Sequence, residues 1–326
     1  MQEFKNRNKN NDGDVSEKKS VIKENVEKVE EDPRPHPPSP DSRKIISLNV
    51  LSRAIVITSL LIVVYFSSKD DKMKIFARHT VFLAGKGQIL ECSLNYLKDI
   101  DKYEGCFPKE CKRFVTDKVI SPKETEELLV MAKKGFQQYD STEGITTLDL
   151  DSGALTNGVH NVNIYQNKDK SAFWIEDFNL FRNVKEKVKF AIVHHFAVEP
   201  SKIFLTRPAL FMEIKKLSSE KSKTFPITYW QPHVDNDFDN SYHFTAVLYL
   251  SNYNKDFKGG RFVFVDENVN KTIEPRKSRL NMFTSGGENR YYIEKVTSGI
   301  KYIVMYFFTC DKQYAIEDPK MTKYLN

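Results

Sequence analysis

From about Ile203 to Thr309 the chain alternates apolar and polar residues with a period of two, interrupted by short turns. KIFLT, ALFMEI, YHFTAVLYL, GRFVFV, RLNMFTS, RYYIEKV and KYIVMYFFT each present an apolar face, as half-buried strands do. Gly259-Gly260 and Ser298-Gly299 supply turns between them. Many short strands in succession predict a jelly roll or sandwich over residues 203–312. Ahead of it the period lengthens to that of a helix. In SPKETEELLVMAKKGFQQY, Ser121 caps, Pro122 fits the first turn, Glu124 completes a capping box, and Leu128, Leu129, Ala132 and Phe136 share a face. VKEKVKFAIVHHF aligns Val184, Val188, Ile192 and His195, and His194 and His195 at its end suit a helix C-terminus without any function. Residues 121–202 are therefore expected to be a helical part packed outside an α+β, mainly β domain, with residues 313–326 a C-terminal tail.

A third pattern precedes these two. Residues 45–68, IISLNVLSRAIVITSLLIVVYFSS, are almost continuously apolar, with Arg53 the only charge. That length crosses a bilayer core of roughly 30 Å as a helix, and Arg53, in its first third, can snorkel toward the near headgroups. Arg43, Lys44 and Arg53 lie on the N-terminal side, whereas KDDKMK beyond the run mixes in acids. The positive-inside rule then predicts a single-pass, type II signal anchor with a lumen-facing domain in the ER or Golgi. Residues 1–44 mix both charge signs, end in a proline cluster and bear few large apolar groups, so a disordered cytosolic tail is expected, with His36 a solvated bystander.

Composition adds less. A net charge of +6 is spread along the chain without a basic block, which argues against nucleic-acid partners. The 23 Phe and 15 Tyr suit an aromatic-packed β core. All four cysteines follow the apolar run, where an oxidising compartment lets them pair. The tight spacing in GCFPKEC favours Cys106–Cys111, leaving Cys92–Cys310 to tie the start of the domain to its end, with residues 69–120 a Cys-containing stem. A zinc site is the competing reading, but no histidine is suitably spaced. Asn270-Lys271-Thr272 is a glycosylation sequon, usable on the luminal side.

The candidate chemistry lies in TYWQPHVDNDFDNSYHFTAVLYLS. On a strand, His233 and Asp235 share a face while Val234 points away. Imidazole beside carboxylate is two-thirds of the facial triad that holds Fe(II) in oxygenases. Around this pair the chain resembles the Fe(II)- and 2-oxoglutarate-dependent dioxygenases of the prolyl-hydroxylase-like group. YEGCFPKECKRFVTDKVIS, IFLTRP, HVD, FTAVLYLSNYNKDFKGGRFVFVDENVNKTIEPR and IEKVTSGIKY carry the resemblance, which runs from about Cys92 to Cys310. It implies a double-stranded β-helix, Fe(II), 2-oxoglutarate as co-substrate, ascorbate, and a protein or peptide substrate. It also implies a His-x-Asp…His ligand set and a basic residue about ten positions after the distal histidine. Carried over, His233 and Asp235 are the first two ligands, Tyr291 stands where the distal histidine belongs, and Lys301 holds the far carboxylate of 2-oxoglutarate. Lysine acts there as a point charge without arginine's fork. No histidine follows His243, so no shift of register restores the triad.

Glu288 and His243 are alternative third ligands, each equally explained by its turn or strand. Arg207 reads as a salt-bridged barrel residue, and Tyr229 and Trp230 either line a substrate mouth or fill the core. Three functions stay open: a luminal dioxygenase weakened by Tyr291, a catalytically silent scaffold on the same fold, and a glycosyltransferase using Asp235–Asp237 for a metal and nucleotide sugar.

Overall fold

The computed structural model describes residues 41–69, 73–139, 141–158, 160–166, 172–218 and 227–316. Residues 1–40 of the expected N-terminal tail and most of the C-terminal one lie outside them, and the last four residues of the former open a helix.

The apolar run forms one helix, Asp41–Lys69 (α1). Its described side chains, at residues 50–64, are all exposed, Arg53 among them. Among the described residues no helix is long and apolar enough to cross a membrane, and the expected span of residues 45–68 extends outside those side chains.

The remaining elements make two sheets. The large one contains β2 (Lys86–Leu90), β3 (Cys111–Thr116), β4 (Ile145–Asp149), β5 (Ala154–Asn157), β6 (His160–Asn163), β7 (Phe204–Lys215), β8 (Phe244–Tyr249), β12 (Leu280–Thr284) and β14 (Val296–Thr309), in the order β2-β3-β12-β8-β14-β7-β4-β5-β6. A short strand, β9 (Phe257–Gly259), pairs with the start of β14. The small sheet runs β1 (Met73–Ala77), β11 (Asn270–Ile273), β10 (Phe262–Phe264) and β13 (Tyr291–Ile293).

Alternation along the central strands explains the layering. On β8, Phe244, Ala246 and Leu248 pack on one side with Leu128, Met131, Val184, Val188 and Ile192 of helices α3 (Pro122–Phe136) and α4 (Ile175–Phe196). Val247 and Tyr249 face the other way, with Phe262, Phe264, Tyr291 and Ile293 of the small sheet. Every residue of β8 is buried because both its faces are covered. The candidate site lies in the second of these layers.

The Ser121 capping box forms as expected, its hydroxyl accepting from Glu124 N–H at 3.2 Å. α4 begins nine residues earlier than its apolar stripe suggests, where the Asp177 carboxylate accepts from Trp174 N–H at 2.9 Å.

Two expectations are corrected. The supposed stem and helical part together supply six strands, β1 to β6, which complete both sheets. Their polar alternation (KGQIL, HNVN) hides them, because edge strands bury little. The cysteines pair as Cys92–Cys111 and Cys106–Cys310, not as the loop spacing suggests. β2 and β3 run antiparallel with Leu90 opposite Cys111, which brings Cys92 alongside, with a Cα–Cα distance of 5.2 Å to Cys111.

The Cys106–Cys310 bridge closes the larger loop, with a sequence separation of 204. A loop that long constrains the unfolded chain by roughly 5 kcal/mol. Peptide mapping without reductant should recover these two pairs and no Cys106–Cys111 peptide. Replacing Cys106 and Cys310 together by serine should lower the unfolding free energy on that scale; an unchanged unfolding midpoint would contradict the pairing.

Candidate active site

Two backbone hydrogen bonds splice His233 to Tyr291, each N–H donating to the other's carbonyl at 2.9 Å. This isolated bridge sets imidazole against phenol, ring centroids 4.3 Å apart. The His-x-Asp segment is not one strand, as strand alternation suggests. Val234 is extended and Asp235 opens a single helical turn, Asp235–Phe238 (α5).

His233 Nδ1 lies 2.8 Å from the Gln231 carbonyl oxygen. A carbonyl only accepts, so Nδ1 carries the proton and the lone pair is on Nε2. Nε2 is buried and has no partner among the described residues. This is how a metal-ligating histidine is held, its other nitrogen fixed by a backbone carbonyl.

Asp235 is 5 % exposed. Its Oδ2 accepts from the Thr245 hydroxyl at 2.6 Å and its Oδ1 from the Tyr291 hydroxyl at 2.9 Å. Burial raises the Asp235 pKa, opposed by those two hydrogen bonds. Tyr291 is fully buried, stacked on Phe262 with centroids 4.4 Å apart and edge-on to Phe283. Burial first, and then the Asp235 charge, push its pKa well above the usual tyrosine value. Tyr291 therefore keeps its proton and gives it to Asp235 in a hydrogen bond.

These atoms answer whether iron fits. An imidazole lone pair and a carboxylate are suitable donors for Fe(II). The third position holds a protonated phenol that binds the carboxylate, and among the described residues no group of three His, Cys, Asp or Glu forms a metal site. Among the described residues the donors here that suit iron are two, His233 and Asp235, and Tyr291 is hydrogen-bonded to the second.

Lys301 on β14 is fully buried. Its Nζ donates to the Gly260 carbonyl at 2.8 Å and sits 5.7 Å from the Tyr249 ring centroid. Gly260 has φ +64, and an added Cβ would meet Val296 Cγ2 at 2.8 Å, so only glycine brings that carbonyl to the ammonium. Burial lowers the Lys301 pKa to about 7, partly offset by the charge of Glu294.

The other candidates fall elsewhere. Glu288 accepts from Ser93 N–H and the Thr284 hydroxyl. His243 Nδ1 accepts from Cys310 N–H at 2.9 Å and its Nε2 faces Asp99 at 3.2 Å. Neither is a ligand. Arg207 is largely exposed and pairs with Asp151 at 2.7 Å. Asp237 is exposed while Asp235 is buried, so the two do not converge on a nucleotide-sugar metal. Tyr229 and Trp230 are half-buried against the inner layer, and burial together with the Asp235 charge pushes the Tyr229 pKa up to about 12. Asn270 opens β11, where its side chain accepts from Asp266 N–H, and Thr272 of the sequon is buried.

Three residues went unread in the sequence. Thr245 holds Asp235, and Tyr249 and Asn281 point into the same layer. Their signal was polar atoms at the inward phase of strands otherwise filled with Val, Phe and Met.

The family described as "2OG-Fe(II) oxygenase superfamily" matches residues 226–309. The chain is 39% identical over 272 residues to the human 2-oxoglutarate and iron-dependent oxygenase domain-containing protein 3, covering 82% of this chain and 84% of that one. A 74-residue stretch, 22% of this chain and 10% of the relative, is 38% identical to prolyl 3-hydroxylase 2 of Gallus gallus. Among solved structures the chain is similar to a Trichoplax adhaerens prolyl hydroxylase in complex with a hypoxia inducible factor peptide, with 13% identity and TM-score 0.42, covering 62% of this chain and 85% of that one.

The Lys301 environment sets a pH dependence. Its folded pKa of about 7 lies below the unfolded value of about 10.4. Between these limits the unfolded chain keeps a proton that the folded one has released, so stability from this site rises with pH, by up to about 1.4 kcal/mol per unit. Unfolding free energies of wild type minus Lys301→Met should climb from pH 7 to pH 9 and stay level below pH 6. A flat difference across the range would contradict the desolvation of Lys301.

Proposed function

The chain belongs to the 2OG-Fe(II) oxygenase superfamily, and we propose that it is a membrane-anchored, lumen-facing dioxygenase that hydroxylates a protein or peptide side chain. The observation that carries this reading is the buried, unpartnered Nε2 of His233. An acceptor left unsatisfied in an apolar layer costs about 1–3 kcal/mol, and a cation is its natural partner. His233 and Asp235 would hold Fe(II), and Lys301 would neutralise the far carboxylate of 2-oxoglutarate. Bound there, the iron supplies the dioxygen chemistry that couples oxidative decarboxylation of 2-oxoglutarate to hydroxylation. The protein's own part is positional: Gln231 fixes the imidazole tautomer, Thr245 orients the carboxylate, and the aromatic layer excludes water. The local similarity to a prolyl 3-hydroxylase supports a peptide substrate, with proline the first side chain to test. Ascorbate, typical of prolyl hydroxylases, is the reductant to include.

The lumen-facing placement is supported by α1, whose described apolar side chains are all exposed, and by four cysteines that are all in disulfides. A compartment that keeps such bridges is oxidising. Protease added to intact microsomes should remove only the tail ahead of α1, and Asn270 should carry glycan. Digestion of the domain with the tail protected would overturn this topology.

One observation favours a second reading, a silent oxygenase fold kept for binding: Tyr291 satisfies Asp235 without any metal. Tyr291→His separates the two. A neutral nitrogen donor suits Fe(II) better than a protonated phenol, so the variant should bind Fe(II) at least about tenfold tighter, the scale on which ligand surroundings tune affinity. It should also raise uncoupled 2-oxoglutarate turnover. His233→Ala in that background should abolish both. Iron binding by neither wild type nor Tyr291→His, with the domain folded, would establish the silent fold instead.

A further inference from the structure

A cavity of about 530 Å³ opens where three loops meet: residues 79–80 after β1, 252–255 after β8 and 276–278 after β11. Hydrogen bonds tie these loops to one another. Tyr253 N–H donates to the Pro275 carbonyl at 3.0 Å and Lys277 N–H to the Asn252 carboxamide oxygen at 3.0 Å. Arg276 Nη1 donates to the His79 carbonyl at 2.8 Å. The cradle is thus held before any ligand arrives, which lowers the ordering cost of binding.

Its charge is one-sided. Lys255, Arg276 and Lys277 line it, and among the described residues no acidic side chain does. The carboxylates around it hold other partners. Glu274 accepts from His79 N–H at 2.9 Å and faces its Nδ1 at 2.6 Å. Asp117 accepts from Arg279 Nε at 2.8 Å, and Asp256 from Asn252 N–H at 2.7 Å. Arg276 Nε is 3.9 Å from Asp117, and among the described residues its Nη2 makes no hydrogen bond and Lys255 no ion pair. Lys277 pairs with Glu126 at 2.6 Å, but Glu126 is largely exposed and a pair facing solvent holds weakly. Three cations gathered without a facing acid repel one another, and an anion relieves that repulsion.

A carboxylate brings two oxygens and a single charge. A phosphomonoester brings three acceptor oxygens and about two charges, which suits a guanidinium fork and two ammoniums. The volume leaves room for the group that bears the ester, with the Tyr253 ring in the wall for its carbon face. We propose that this cavity binds a phosphomonoester, carried by a sugar or by a protein side chain, through Arg276, Lys255 and Lys277. The inference goes beyond the dioxygenase reading and involves neither iron nor 2-oxoglutarate.

Calorimetric titration of the full chain tests this with glucose 6-phosphate and a phosphoserine peptide, each against its unphosphorylated control. At least one phosphorylated probe should bind about tenfold or more tightly than its control, the scale of one hydrogen bond to a charged group. Whichever probe binds more tightly names the carrier, sugar or protein. Lys255→Gln alters a side chain that makes no other bond among the described residues, and it should weaken that binding about threefold to tenfold. Arg276→Lys keeps the charge but loses the planar fork, and it should cost a similar factor. Lys202→Gln, in a separate cavity beside Cys310, should leave the affinity unchanged, because contact and not net charge decides it. The proposal is overturned if neither phosphorylated probe exceeds its control, or if folded Lys255→Gln and Arg276→Lys bind as wild type does. Equal losses in Lys202→Gln and Lys255→Gln would also refute it, by reducing the binding to net charge. So would glucose 6-sulfate binding as tightly as glucose 6-phosphate, since a singly charged ester would then suffice.

Discussion

A carboxylate between two sheets must be hydrogen-bonded or neutralised, and Asp235 is where this constraint shapes the site. Desolvation alone would protonate it or expel it. Thr245 from the large sheet and Tyr291 from the small one each donate to it, so Asp235 bridges the layers by hydrogen bonds to both. The backbone bridge between His233 and Tyr291 follows the same join. Local order and donor geometry therefore have one origin, and the phenol that holds the carboxylate also withholds one of its oxygens from a metal.

The chain is consequently unequal at its two polar ends. At the iron end one imidazole lone pair is unspent and the carboxylate is shared. At the other end Lys301 is buried, its Nζ donating to the Gly260 carbonyl beside the Tyr249 ring. A buried ammonium in apolar surroundings is retained at a cost to stability.

Much of this was legible in the sequence. The strands of residues 203–309 alternate because each has one face on the helices and one in the inner layer. Ser121 and Glu124 fixed the start of a helix by their own side chains. His233 and Asp235 each touch Tyr291, and Lys301 lies by the Tyr249 ring of the same layer. What escaped was decided by tertiary contact. β1 to β6 carry weak patterns because they lie toward sheet edges or expose one face. The cysteine pairing depends on the β2–β3 register, which loop spacing does not contain. Thr245 and Asn281 look like ordinary strand residues until the phase of their strands is known. Tyr291 stands at a ligand's position in the sequence, yet its hydroxyl is bound to the neighbouring ligand.

The central claim, that Tyr291 competes with iron for Asp235, is tested most directly by Tyr291→Phe. Phenylalanine keeps the stack on Phe262 and removes only the hydroxyl, adding no donor. Anaerobic Fe(II) titration with 2-oxoglutarate, followed by the visible charge-transfer band, should then show tighter iron binding than wild type, because a carboxylate oxygen has been released. Weaker binding in the folded variant would mean that the phenol oxygen is itself a ligand, and competition between Tyr291 and iron would be refuted.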